Sequence, residues 1–73
     1  MQTEQLTDHK NAIGLIAGAI WRYLDDNGPV TLSQLTREID APRDVVMQGL
    51  GWLARENQIR FEVDGRTKRV ALG

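Results

Sequence analysis

The chain has 73 residues, 41% of them hydrophobic and 26% charged, with no cysteine and a formal net charge of −1. These values predict one small globular domain over residues 1–73, and they exclude disulfide bridges and a cysteine-ligated zinc site. No apolar run approaches the roughly 20 residues of a membrane span, and the first residues lack a signal-peptide pattern, so we expect a cytoplasmic protein. Residues 1–7 precede the first clear helical pattern and are expected to be flexible.

The charges are unevenly distributed along the chain. Residues 1–40 hold three basic and six acidic side chains, whereas residues 41–73 hold six basic and four acidic ones. The basic second half favours contact with a polyanion, but an asymmetry of this size is equally typical of a solvated surface. Charge alone does not separate these two interpretations.

A first helix is predicted to begin at Thr7 or Asp8, either of which is a good N-cap residue. Apolar residues then recur with the spacing of one helix face: Ile13, Ile16, Ala17, Ile20 and Leu24. The helix is expected to end at residues 27–29, because Gly28 can adopt a left-handed backbone conformation and Pro29 cannot continue a helix.

A short strand and two further helices are predicted next. Val30 begins a short extended segment, and Thr31 is expected to cap a second helix with Gln34 as its capping-box partner. The residues of this helix predicted to face inward are Leu32, Leu35 and Ile39. The segment 40–42 predicts a turn, because proline fits the first turn of a helix, and a third helix is therefore expected over residues 42–56. Its predicted buried stripe consists of Val46, Leu50 and Leu53.

The last part of the chain changes to an alternating pattern and predicts a β-hairpin over residues 59–72. Asp64-Gly65 is expected to form a two-residue type I′ turn, which pairs Val63 with Arg66 and Ile59 with Val70. The apolar residues then share the inner face of the hairpin: Ile59, Phe61, Val63, Val70 and Leu72. The other face carries Arg60, Glu62, Thr67 and Arg69.

This order of elements predicts an α+β fold, a winged helix-turn-helix with three helices, a short strand after the first helix, and a C-terminal two-stranded hairpin as the wing. The run Gly-Trp-Leu-Ala-Arg-Glu at 51–56, with Ile20-Trp21 and the segment 27–30 upstream, resembles a small, functionally uncharacterised prokaryotic winged helix-turn-helix family from about Ile13 to Leu72. In that family the following residues are commonly Asp-Lys-Ile, whereas this chain has Asn-Gln-Ile at 57–59, which removes a cation beside the wing. The resemblance implies the fold and favours a homodimer, but it implies no ligand or reaction.

The sequence does not suggest a catalytic or metal site. His9 is the only histidine and is interpreted as a surface residue, whereas Asp25 and Asp26 are adjacent helical residues that point about 100° apart. Ser33 has no base nearby in sequence, and the glycines at 14, 18, 49 and 51 fall in helical patterns rather than in a phosphate-binding loop. We therefore expect no enzymatic activity, no metal and no cofactor.

Small and aromatic residues on the sides of two helices predict a close helix contact or a dimer interface. These residues are Gly14, Gly18, Trp21, Val45, Gly49 and Trp52. A glycine inside a helix costs roughly 1 kcal/mol relative to alanine, so each needs a compensating reason such as close approach of a ring or a backbone. Either a tryptophan fills a gap between the first and third helices, or part of this surface meets a second protomer. We expect a homodimer.

Two functions fit these patterns. The first is a non-catalytic DNA-binding domain of a small transcriptional regulator, with helix 42–56 in the major groove and the wing 59–72 on phosphates or in a minor groove. The candidate DNA contacts are Arg43, Met47, Gln48, Arg55, Arg60, Arg66, Lys68 and Arg69. Gln48 is able to pair with adenine and Arg43 with guanine, while binding is expected to be weak and salt-dependent. The second is a protein-interaction or dimerisation module that does not bind DNA, which the sequence pI of about 5.7 favours.

Overall fold

The protein was analysed as a computed structural model that describes the backbone of residues 2–73 and the side chains from His9 onward. The elements are α1 (Gln2–Asn27), β1 (Val30–Thr31), α2 (Leu32–Glu38), α3 (Arg43–Arg55), β2 (Ile59–Asp64) and β3 (Thr67–Leu72). The three strands form an antiparallel sheet in the order β1-β3-β2. The predicted α+β winged helix-turn-helix fold is confirmed. None of the described helices is long and apolar enough to cross a membrane.

Helix α1 begins earlier than predicted, at Gln2 rather than at Thr7 or Asp8. Residues 2–6 include good helix formers and neither glycine nor proline, so nothing in the sequence prevents the helix from extending through the expected cap. Residues 1–7 were expected to be flexible. Residue 1 and the side chains of this segment lie outside the part of the chain that the structure describes, so this expectation stays a prediction. The C-terminal end is as predicted, because Gly28 has a φ of 72° and stops the helix.

The hydrophobic core lies between the helices and the sheet. Its largest fully buried side chains are Ile20, Leu24, Leu35, Val46 and Val70. The predicted stripes of α1 and α3 therefore do face inward, with Ile13 and Ile16 half-buried at the margin. Full burial of one such side chain stabilises the fold by about 1.5–3 kcal/mol, so these residues hold α1, α2, α3 and β3 together.

The predicted cap of α2 forms, but only half of the predicted capping box does. Thr31 Oγ1 accepts a hydrogen bond from the backbone N–H of Gln34 at 3.1 Å. The side chain of Gln34 does not return to Thr31, because its Nε2 donates to the hydroxyl of Tyr23 at 2.9 Å. That hydroxyl is partly buried and needs a partner, so the bond satisfies it and joins α1 to α2.

Helix α3 ends in a Schellman-type cap. The N–H of Gln58 donates to the carbonyl of Leu53 at 2.9 Å, and the N–H of Asn57 donates to the carbonyl of Ala54 at 3.1 Å. Asn57 has a φ of 59°, a left-handed conformation that asparagine tolerates better than most residues. This cap turns the chain directly from α3 into β2.

The hairpin turn lies one residue further along the chain than predicted. Gly65 and Arg66 form the two-residue loop, and Asp64 pairs with Thr67. Gly65 has a φ of 61°, whereas Arg66 is not among the residues with positive φ, which is the φ pattern of a type II′ turn. The predicted type I′ turn at Asp64-Gly65 would need positive φ at Asp64 as well, whereas the observed turn needs it only at glycine.

The new register changes the cross-strand partners but not the faces. Ile59 pairs with Leu72 and Phe61 with Val70, so the predicted pairing of Ile59 with Val70 is wrong. Because the shift is two residues, the same side chains still share a face. The expected burial of that whole face is also wrong, since Phe61 and Val63 are 50% and 67% exposed. Only the first residue of β2, next to the end of α3, joins the core.

Candidate nucleic-acid interface

Three of the four cations of the wing lie in its outer half. Strand β1 stops pairing with β3 at the pair Thr31 and Arg69, whereas β2 and β3 continue to pair as far as Thr67. Arg66 and Lys68 are exposed in this outer part of the hairpin, and Arg69 is exposed at the last pair with β1. As consecutive residues of one strand, Lys68 and Arg69 lie on opposite faces of the hairpin. Among the residues whose side chains are described, no carboxylate forms an ion pair with any of the three. They can therefore contact an anionic partner without first breaking an ion pair.

Arg60 differs from the other wing cations because it has intramolecular partners at the base of the hairpin. Its Nε and Nη2 donate to Glu62 Oε2 at 3.1 and 2.9 Å, and its Nη1 donates to the carbonyl of Leu72 at 2.7 Å. Its cross-strand neighbour Ala71 is only 3% exposed, although the alternating pattern did not predict burial on that face. A phosphate would have to compete with these bonds to reach Arg60.

The outer face of α3 carries a mixed set of charges. Arg43, Asp44 and Arg55 are exposed on it, and Glu56 follows directly. The Asp44 carboxylate accepts the N–H of the next residue at 2.9 Å in the first turn of the helix. Met47 is half-buried against the core and offers only part of its side chain to a partner. This face therefore has little net positive charge.

Gln48, the residue predicted to read adenine, already has a partner on α1. His9 donates a hydrogen bond from Nε2 to Gln48 Oε1 at 2.7 Å, and both residues are exposed. The interpretation of His9 as a surface residue agrees with its exposure, but the side chain is not merely solvated. Gln48 Oε1 keeps a second lone pair and Nε2 keeps both of its N–H donors, so Gln48 can pair with a base only beside the His9 ring.

Gly49 marks a close approach of α3 to α1. It is buried, and a Cβ added there would lie 3.2 Å from the backbone nitrogen of Ala17 and 3.3 Å from Ile16 Cγ2. At these distances a Cβ would fit only if α1 moved away from α3 by a few tenths of an ångström. Within this chain, Gly49 serves helix packing.

The other members of the predicted packing surface lie largely at the exterior. A Cβ at Gly14 or Gly18 would meet no atom within 4 Å, and Trp21 and Trp52 are 38% and 51% exposed. An open groove of about 400 Å³ between α1 and α3 is lined by Lys10, Ile13, Gly14 and Trp52. Val45 is half-buried. Neither tryptophan belongs to the buried core, so the interpretation of either one as a core filler is not supported.

The described side chains offer no evident catalytic or metal centre. No group of three or more histidine, aspartate or glutamate residues among them is placed to hold a metal ion. The Ser33 hydroxyl forms no hydrogen bond with a basic side chain in the part of the chain whose side chains are described, although its backbone carbonyl accepts one from Thr36 Oγ1 at 3.1 Å. The chemistry that this surface does offer is hydrogen-bond donation and positive charge at the wing.

Solved structures with the same fold include proteins described as DNA-binding or regulatory. Protein BT2368 from Bacteroides thetaiotaomicron is 25% identical with a TM-score of 0.76, over 86% of this chain and 77% of that one. HOP2, described with DNA recognition and protein interaction domains, is 27% identical with a TM-score of 0.62, over 80% of this chain and 98% of that one. An ArsR family transcriptional regulator is 24% identical with a TM-score of 0.61, over 92% of this chain and 73% of that one.

The family assignment follows from a match along most of the sequence. No curated protein matches the chain. The matched part begins in the second turn of α1 and runs to the end of β3, so it contains most of α1, all of α2 and α3, and the wing. Since residues 7–72 match the family described as winged helix-turn-helix domain (DUF2582), the chain belongs to that family.

Proposed function

We propose that this protein is a non-catalytic DNA-binding regulator that contacts duplex DNA chiefly through its wing. The observation that carries the proposal is the set of three exposed cations in the outer half of the hairpin, Arg66, Lys68 and Arg69, none of which forms an ion pair with a described carboxylate. The fold supports it, because winged helix-turn-helix proteins commonly place the third helix in the major groove and the wing on the DNA backbone. The likeness to HOP2, which is described as having a DNA recognition domain, agrees with this function.

Helix α3 contributes less to this contact than the wing. Arg43 and Arg55 are exposed on it, but Asp44 and Glu56 oppose them, and Gln48 is hydrogen-bonded to His9. Phosphate contacts position a protein on DNA without reading its sequence, whereas base contacts supply specificity. We therefore expect weak binding with a modest preference between sequences.

The salt dependence of binding measures how many cations reach phosphates. Each phosphate contact on B-DNA contributes about −0.9 to the slope of log K against log salt concentration. If Arg43, Arg55 and the three wing cations all reach phosphates, the slope for one protomer is about −4.5, of which the wing supplies about −2.7.

The test measures binding to a random duplex by fluorescence anisotropy at several salt concentrations, starting at ~50 mM. Electrostatic attraction is strongest at the lowest of these concentrations. Combined replacement of Arg66, Lys68 and Arg69 by alanine should weaken binding to all sequences alike and remove most of the slope. The matched control replaces three cations elsewhere: Lys10, Arg22 and Arg37. Equal losses in the two triple variants, or no binding by wild type at ~50 mM salt, would contradict the proposal.

The second candidate function is a homodimeric protein-interaction module. The observation that favours it is the exposed apolar surface on α1 and α3, where Trp52 is 51% exposed beside the groove at Gly14 and Trp21 is 38% exposed. Exposed tryptophans are enriched at interfaces, and a small domain gains stability from a shared apolar surface. Light scattering over a hundredfold concentration range tests it, and Trp52→Ala should lower the dimer fraction. A monomer mass throughout would remove this candidate, whereas a dimer without DNA binding would make it the leading one.

A further inference from the structure

A groove separates the tip of the hairpin from the start of α2. Strand β1 ends at Thr31, opposite Arg69. The hairpin loop and the first residues of β3 therefore extend past β1 and lie beside the first turn of α2. The groove is open and has a volume of about 360 Å³. Its lining residues are Thr31, Leu32, Ser33, Arg66, Thr67 and Lys68.

The charges of this groove are all of one sign. Arg66 and Lys68 supply two cations, and none of the residues that line it is acidic. The neighbouring carboxylate of Asp64 belongs to the pair that closes the loop, but it forms no ion pair with either cation among the described side chains. An arginine guanidinium can bind two oxygens of one phosphate at once, and a lysine ammonium adds a compact charge beside it.

The hydroxyl groups of the groove complete a set of donors. Thr31 Oγ1 accepts the N–H of Gln34 at 3.1 Å, which leaves its own O–H available to donate. Ser33 is exposed and Thr67 is half-buried, and their hydroxyl groups form no hydrogen bond with any other group in the described part of the chain. A phosphodiester group of a nucleic-acid backbone has only acceptor oxygens, so three O–H donors and two cations match it in both charge and hydrogen-bonding type.

We infer that this groove binds one phosphate group of the DNA backbone and thereby fixes the position of the wing along the duplex. The inference rests on the proposed DNA-binding function and adds α2, through Ser33 and Thr31, to a contact otherwise made by the hairpin. The same chemistry suits a free phosphate, so the test must separate the two sources. A hydroxyl contact adds affinity without releasing a counterion, so loss of Ser33 alone should weaken binding with little change in the salt slope.

The sharpest variant is Ser33→Glu, which places a carboxylate in the groove. Ser33 is exposed in the first turn of α2, where an acidic side chain is compatible with the helix, so the variant should fold. Its matched control is Asn11→Glu, which adds the same charge at an exposed position in the N-terminal half of α1. In duplex-binding assays on the full chain, Ser33→Glu should weaken binding about tenfold at ~50 mM salt and reduce the slope by about one phosphate contact. Asn11→Glu should change affinity less than about twofold.

A second measurement uses inorganic phosphate and pyrophosphate, with the backbone amide NMR signals of Ser33, Thr67 and Lys68 as the readout and thermal unfolding as the check on folding. If duplex binds and the two Glu variants lose equal affinity, the groove inference is wrong while DNA binding stands. If no duplex binds but phosphate shifts these three signals saturably in wild type and not in Ser33→Glu, the DNA source is wrong and the groove is a site for free phosphate. If neither ligand binds, both the function and the inference are wrong.

Discussion

The close contact of α1 and α3 at Gly49 leads to a prediction that can be tested with two substitutions in one helix. Gly49→Ala and Gly51→Ala make the same chemical change two residues apart, in the interior of α3. A Cβ at Gly49 would lie 3.2 Å from the backbone nitrogen of Ala17, whereas a Cβ at Gly51 would meet no atom within 4 Å. The two variants therefore differ in packing and share the same gain in helix propensity.

The expected free energies follow from these two effects. Alanine is favoured over glycine inside a helix by about 1 kcal/mol, so Gly51→Ala should raise the free energy of unfolding by about that amount. Insertion of a methyl group into a well-packed contact costs about 1–3 kcal/mol, because one obstructing atom at Gly49 is backbone and can move only with the whole of α1. The net effect of Gly49→Ala is then about zero to 2 kcal/mol of destabilisation. The two variants should differ by about 1–3 kcal/mol.

Urea and thermal unfolding of both variants and of wild type provide the assay. For a domain of this size, 1 kcal/mol corresponds to a shift in Tm of about 4–8 °C, so the expected separation is easily resolved. Melting curves at two protein concentrations show whether self-association contributes to the difference. Equal stability of the two alanine variants would refute the argument that α1 and α3 are held at a distance set by Gly49.

Two further predictions concern the ends of helices. Thr31→Ala removes the acceptor for the N–H of Gln34 and should lower the free energy of unfolding by about 1 kcal/mol, measured by urea denaturation, with Thr31→Ser as a variant that keeps the acceptor. A result within error of wild type would contradict the role of this cap. Asn57→Ala should cost about 1 kcal/mol because alanine is strained at a φ of 59°, whereas Asn57→Gly should cost nothing or stabilise. Equal thermal stability of these two variants would show that the left-handed cap is not strained.

The parts of the fold that the sequence predicted correctly depend on local periodicity. Ile20 and Leu24 in α1, and Val46 and Leu50 in α3, follow the spacing of one helix face, and all four are buried. The end of α1 was also predicted correctly, because Gly28 and the proline after it are strong signals for the end of a helix. Local signals of this kind do not depend on the rest of the structure.

The hairpin register was predicted wrongly because two turn types fit the same residues almost equally well. The start of α1 was predicted wrongly because no residue marks it clearly. Gly65 suits the second position of a type I′ turn and the first position of a type II′ turn, so the pattern alone did not fix the register. The start of α1 was misplaced because Thr7 is an acceptable cap but nothing before it forbids a helix.

Much of the candidate site could not be predicted because it is formed by residues far apart in sequence. His9 and Gln48 are 39 residues apart and meet only because α1 extends along α3. The groove that contains Ser33 and Lys68 likewise depends on how far the hairpin projects past β1, which no periodicity encodes. By contrast, the cations of the wing were found from the sequence, because exposed charge needs no tertiary partner.

The alternation of side chains along the hairpin limits how the length of such a wing can change during evolution. Because side chains alternate along a strand, insertion of two residues into each of β2 and β3 near Gly65 would keep Ile59 and Val70 on the core side. Each such insertion would move the tip outward by about 7 Å, which is about two phosphate steps of roughly 3.4 Å along the axis of one DNA strand. The reach of the wing can thus change in steps that match a polynucleotide backbone while the helices and their core stay as they are.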